Sequence, residues 1–339
     1  MDSGLALRAP RNDGCRTKMK ILRRDFLHLS AAAALSASAT ARAADDYPSR
    51  PVRVIVGLPP GNSPDIVARL VCAYLSEHLS HPFVVENRPG AATGLATEYV
   101  VHTAADGYTL LLVLAGNAVN GWVYKLRYDF IRDVAPIASI GGIPLAMVVN
   151  PAVPVKTVPE FIAYAKANPG KLFFGSSGNG SLPHILGVLF EMKAGVKLVH
   201  VPYKESVFPD LLGNQVQLAF EPVPAVMGYI KSGKLRPLGV STKQRLTVLP
   251  DVPALAEFLP GYEATGWLGI GAPAGTPANV IDIVNKAVNT GLADPKLADR
   301  MAALGAVPDP MTPAHFKQFI AAETAKWGEV VKFAGIKAE

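Results

Sequence analysis

Cysteine is nearly missing: the 339 residues hold two, Cys15 and Cys72. That excludes a disulfide framework, and a cysteine-rich zinc site with it. Charge is sparse as well, at 18% of residues, while half of the chain is apolar, which is the composition of a folded domain and not of a disordered one. The short motifs of common catalysts are also absent. Gly175-Ser176-Ser177-Gly178 is not G-x-S-x-G, and no H-E-x-x-H occurs among the seven histidines. Neither G-x-G-x-x-G after a strand nor G-x-x-x-x-G-K-[ST] is present. With no nucleophile and base, no metal set and no cofactor cradle, the expectation is a protein that is not an enzyme and takes no metal or cofactor.

The charge that is present is unevenly placed. Of the formal +6, residues 1–43 carry eight of the 33 Lys/Arg and three of the 27 acids, leaving 25 against 24, or +1, for the rest. That balance gives no argument for nucleic acid. The basic segment has the pattern of an export signal: Lys20-Ile21-Leu22-Arg23-Arg24-Asp25-Phe26-Leu27, an apolar run from Leu29 to Ala39, and Ala41-Arg42-Ala43 as the cleavage site before Ala44. The run is too short for a membrane anchor. The paired arginines followed by Phe26-Leu27 suit twin-arginine export, but Leu22 stands where Ser or Thr is usual, so ordinary Sec export stays open. Met19 is the better start, and residues 1–18 read as an upstream extension. Cleavage leaves Cys72 alone, in a helical run where a small buried apolar residue is expected.

The mature chain alternates strand, loop and helix. Pro51–Val56 is a β-branched strand, and Ile66–Leu79 repeats apolar residues at helical intervals. Strands 82–87 and 108–114 follow, the second leading into a small polar loop, Ala115–Asn120. Ile137–Asn150 reads as a long strand leaving this unit, after which the pattern restarts with helix 158–167 and strand 171–174. From Trp267–Pro273 the chain turns helical through 280–292, 296–304 and 314–334. This is an α/β protein of two lobes, each a mainly parallel sheet flanked by helices: 44–145 plus 266–339, and 146–265. Loops at strand C-termini then put a ligand in the crevice between them.

Two loops share one design. Gly57–Asp65 and Gly175–His184 are made of small residues and each precedes a helix, so backbone N–H groups stand open at helix N-termini, where an anion can collect them. Ser63 before Pro64 suits an N-cap, and Asp65 suits the first turn. Simple connection, with Ser181 as cap, is the alternative use of the second loop. Neither loop holds Lys or Arg, nor does 115–120, so a bound anion would rest on amides, hydroxyls and water.

Several phrases, in order, resemble the substrate-binding proteins of tripartite tricarboxylate transporters, the Bug-type receptors. They are Tyr47-Pro48-Ser49-Arg50-Pro51, Pro60-Gly61 with Asp65, Val85 to Ala91, Asp106-Gly107-Tyr108-Thr109-Leu110, and Ser177-Gly178-Asn179-Gly180-Ser181. His200-Val201-Pro202-Tyr203-Lys204, Leu249 to Pro253 and Ala272 to Pro277 complete a likeness that covers nearly all of 46–337. The resemblance implies a two-lobed type II periplasmic-binding (Venus-flytrap) fold, periplasmic location and capture of a small organic acid. It also implies delivery to a permease of one small and one large membrane subunit; the receptor itself is expected to be a monomer.

By position, the resemblance places one pincer at Gly61, Asn62, Ser63 and Asp65, and a second at Ser176, Ser177, Asn179 and Ser181 with His184 behind it. Asn117 matches the family's polar loop after the third strand, and Tyr203 its Val-Pro-Tyr segment. Asn62 stands where a second glycine is common, Glu205 replaces a usual glycine, and Glu221-Pro222 stands for Asp-Asn or Asp-Pro. Glu205 and Glu221 near the cleft are expected to turn the receptor away from highly charged tricarboxylates. The other readings are a sensor input for a membrane kinase, and an enzyme on the same fold using Ser177 or His184.

Overall fold

The computed structural model describes residues 47–336; the segment 1–43, with Met19 and Cys15, lies outside the described residues. β1 (Val52–Val56) is flanked in parallel by β2 (Phe83–Asn87) and β3 (Thr109–Leu114). The chain then forms β4 (Val134–Ile143), breaks at Pro144, and enters the second sheet as β5 (Leu145–Val149). The long strand expected over 137–150 is thus two strands in two sheets, because proline has no N–H to continue a ladder.

The second sheet adds β6 (Phe173–Ser176), β7 (Val199–Pro202), β8 (Leu218–Pro222) and β9 (Arg236–Val240), in the order β7-β6-β8-β5-β9. β6 is parallel to both its neighbours, whereas β5 is antiparallel to both of its own. The return to the first sheet is β10 (Gly266–Pro273), antiparallel between β3 and β4, with β11 (Val307–Pro308) at the edge. Each sheet is therefore mixed. It is parallel where strand–helix–strand crossovers build it, and antiparallel where the strands passing between the lobes join it.

The strand at Trp267–Pro273 corrects the helical onset expected there. Gly269 and Gly271 make the segment look unlike a strand, yet glycine is what its neighbours permit. A Cβ on Gly269 would sit 2.5 Å from Ala138 O, against the Phe316 ring. Likewise, 115–120 is no loop: the helix Ala115–Val123 begins directly after β3.

Helices cover both sheets. Ser63–His78 buries Val67, Leu70, Val71, Leu75 and Cys72, and burial pushes the Cys72 thiol up to about 12, so it is an inert packing residue. One apolar cluster runs from Ile55 and Leu111 of the first sheet to Met147, Phe174 and Phe220 of the second. Phe316 and Trp327 of the long helix Pro313–Ala334 belong to the same cluster, so the two lobes share a core.

Candidate functional site

At the C-terminal ends of β1, β3 and β6 lies a cavity of about 480 Å³. Its wall is Leu58 and Pro64 from the first loop, Ala92 and Thr93, and Leu114 to Gly116 with Asn120 and Tyr124. From the other lobe come Ser177 and Asn179 to Leu182, and β10 contributes Gly266 and Trp267. The volume suits a small metabolite. No Asp, Glu, Lys, Arg or His stands in this wall.

Three helices begin at the cavity. Pro64 lies in the first turn of Ser63–His78, Ala115 and Gly116 open Ala115–Val123, and Ser181 caps Leu182–Ala194. Each N-terminus carries a partial positive charge. Asn62 caps Asp65 N, Ser181 caps His184 N, and Pro64 and Pro183 offer no N–H, but the remaining first-turn amides have no partner within their own helix. Anion attraction is therefore built from backbone alone.

The first loop is set by its own side chains. Asn62, not Ser63, is the N-cap: its Oδ1 accepts from Asp65 N at 3.0 Å while its Nδ2 donates to Pro59 O at 2.6 Å. Asp65 is buried and accepts from Gly61 N, Arg69 and Asn87. Burial alone would raise its pKa, but the hydrogen bonds from Arg69, Gly61 and Asn87 outweigh it and hold the carboxyl below its usual value. Gly61 adopts φ +88, in the region that favours glycine. Gly61, Asn62, Ser63 and Asp65 thus shape the loop, and Leu58 and Pro64 present it to the cavity.

The second loop places Ser177, Asn179 and Ser181 in the wall. Ser176 lies beneath, fully buried, its Oγ 2.6 Å from His200 Nε2 and accepting from Gly178 N at 3.2 Å. His184 is buried too, and its Nδ1 accepts from Gly180 N at 3.0 Å. Burial, and for His184 also the facing His200, lowers the two imidazoles to about 3 and about 4, so both are neutral props of the loop.

Asn117 stands behind the wall. It is buried, accepts from Leu114 N at 2.7 Å, and donates to Thr93 Oγ1 at 3.0 Å and Thr97 Oγ1 at 2.9 Å. Asn120 in turn donates to Ala92 O at 2.6 Å. These bonds hold Ala91, Ala92 and Thr93 at φ 46, 47 and 78, a run of left-handed non-glycine residues along the cavity. Nothing in Gly90-Ala91-Ala92-Thr93 signals that conformation, since neither alanine nor threonine favours it. Trp267 is a further wall residue without a sequence cue. Its Nε1 donates to the buried Glu323, which also accepts from Trp327 Nε1 and pairs with Lys326.

Tyr203, Glu205 and Glu221 are not in this wall. The Tyr203 hydroxyl donates to Asp210 at 2.7 Å, and burial with that bond pushes it up to about 12. Glu205 is exposed, while burial lifts Glu221 to about 7. Among the described residues, no group of three or more His, Cys, Asp and Glu gathers as a metal site would, and no helix is long and apolar enough to cross a membrane.

The same architecture occurs in an R. palustris protein solved with adipate (35% identity, TM-score 0.75, covering 86% of this chain and all of that one). It occurs again in MatC from Rhodopseudomonas palustris with bound malate (29%, TM-score 0.71, covering 84% and all). The chain is 37% identical over 300 residues to protein BugT of Bordetella pertussis, covering 87% of this chain and 92% of that protein. Residues 67–336 match the model of the tripartite tricarboxylate transporter family receptor. This chain belongs to that receptor family.

Proposed function

We propose that the protein is an exported periplasmic receptor that captures a small organic carboxylate in the crevice and delivers it to a tripartite tricarboxylate-type permease. The observation that carries this reading is a metabolite-sized cavity opening onto three helix N-termini, two from one side and one from the other, with no ionisable wall residue but Tyr124. A carboxylate there meets the positive ends of three helices and the first-turn amides left uncapped, and it binds without a guanidinium. The receptor family and the solved relatives with adipate and malate support the same ligand class.

The lobes, 44–145 with 266–339 and 146–265, close on the acid as a monomer. Ser177, Asn179 and Ser181 touch it from the second lobe, and Gly61, Asn62 and Ser63 reach it on closure. Asp65, Asn117, Ser176 and His184 hold these groups in place, and Tyr203 and Glu221 flank them. The residues act by binding, and no chemical step is assigned to Ser177 or His184. The segment 1–43 directs export, and the closed form meets one small and one large permease subunit.

A thermal-shift screen of the chain from Ala44 against organic acids tests the reading, followed by calorimetry on the best acid. Ligand at about a hundred times its Kd adds roughly 2.7 kcal/mol, a rise of several degrees. A rise for carboxylates that is lost in Ser177→Ala supports the receptor; no rise with any acid overturns it.

A further inference from the structure

The wall of the cavity also bears on which acids enter it, and this step rests on the receptor reading above. Two of its polar side chains on the first-lobe side, Thr93 and Asn120, are already engaged within the protein, which leaves the Tyr124 hydroxyl as the further polar group there. Thr93 Oγ1 accepts from Asn117 and Asn120, and Asn120 Nδ2 is spent on Ala92 O. The one donor of Trp267 points to Glu323, so its ring offers the cavity only carbon. Leu58, Leu114 and Leu182 continue the apolar surface around it.

We infer that the ligand is a carboxylic acid with an apolar body, alkyl or aryl and without hydroxyl or amino groups. Its carboxylate lies at the helix starts, and its carbon body lies against Leu58, Leu114, Leu182 and the Trp267 ring. A hydroxyl on that body, held against Leu58, Leu114, Leu182 and the Trp267 ring, would leave water and meet no partner there, and a buried polar group without a hydrogen bond is strongly disfavoured. An added methylene gains contact with the wall instead, worth about a fourfold rise in affinity for each one buried.

Calorimetry on the chain from Ala44 with matched acids tests the inference: succinate against malate, phenylacetate against mandelate, and the series butyrate, pentanoate, hexanoate. The hydroxyl-free member of each pair is expected to bind at least about tenfold tighter, and affinity is expected to climb along the series. Malate or mandelate binding as tightly as its partner overturns the inference and leaves the receptor intact. Binding of no acid at all overturns both.

Leu58→Asn gives a second test, with the melting temperature of the free protein as the control for folding. Hexanoate affinity should drop about tenfold while malate affinity holds or rises. An equal loss for both acids overturns the placement of the apolar body.

Discussion

His184 and His200 lie face to face, ring centroids 3.7 Å apart and planes 7° from parallel. Their ring nitrogens meet Gly180 N and Ser176 Oγ, so the pair underpins the second pincer. With folded values of about 3 and about 4, both rings stay neutral while unfolded imidazoles titrate at 6.5. Above pH 6.5 neither state gains protons, and no stability is at stake. Below it the unfolded chain takes up protons that the folded chain refuses, so stability should fall from pH 6.5 toward pH 4 by roughly 2–4 kcal/mol, less than the full linkage value for two rings because solvent still reaches and screens both. Urea midpoints at neutral and acid pH should show that decline flattened in a His184→Gln, His200→Gln double variant. Parallel declines would refute the assignment.

Glu221 should act with the opposite sign. Burial raises its carboxyl from 4.5 to about 7, so its contribution is complete below pH 4.5 and is lost as pH rises through 7. Glu221→Gln should change little in acid and stabilise the chain by roughly 2–3 kcal/mol above pH 7. Denaturation across that range checks it; a gain that does not grow with pH would sink the idea.

Asn117→Ala should cost about 2–4 kcal/mol, because it orphans the buried Leu114 N–H and frees Thr93 and Thr97. Ligand affinity should fall with it, since Thr93 then loses a bond that fixes its left-handed backbone. Equal affinity in the variant, measured where it is still folded, would separate Asn117 from the cavity.

Gly57→Ala tests the seat of that same strip. A Cβ there would sit 2.8 Å from Thr93 Cβ and 2.9 Å from Thr93 Cα, and backbone cannot swing aside as a side-chain tip can. A loss of about 1–3 kcal/mol is expected, with weaker acid binding. Unchanged stability would mean that the strip is free to shift.

The sequence disclosed what depends on local pattern. Val52–Val56 is β-branched, Ser63–His78 has helical spacing, and the resemblance along 46–337 carried the family. Ser181 caps its helix, as the alternative reading of the second loop had it, with its Oγ accepting from His184 N at 3.4 Å. What stayed hidden depends on neighbours far along the chain. Gly269 sits in a strand because Phe316 fills the space of a side chain. Ala92 and Thr93 stand left-handed because Asn120 and Asn117 hold them there. Trp267 reaches the cavity because β10 returns from the second lobe, and no local window contains that fact.

The Glu323 anchor also gives the molecule an optical reporter. Of its three tryptophans, Trp122 is 41% exposed and Trp327 wholly buried, while Trp267 alone borders the cavity with its N–H fixed on a carboxylate. Emission from Trp122 and Trp327 is set by surroundings outside the cavity wall, whereas the Trp267 ring sees water exchanged for ligand. Intrinsic fluorescence should therefore follow occupancy without a label, and Trp267→Phe should silence the signal.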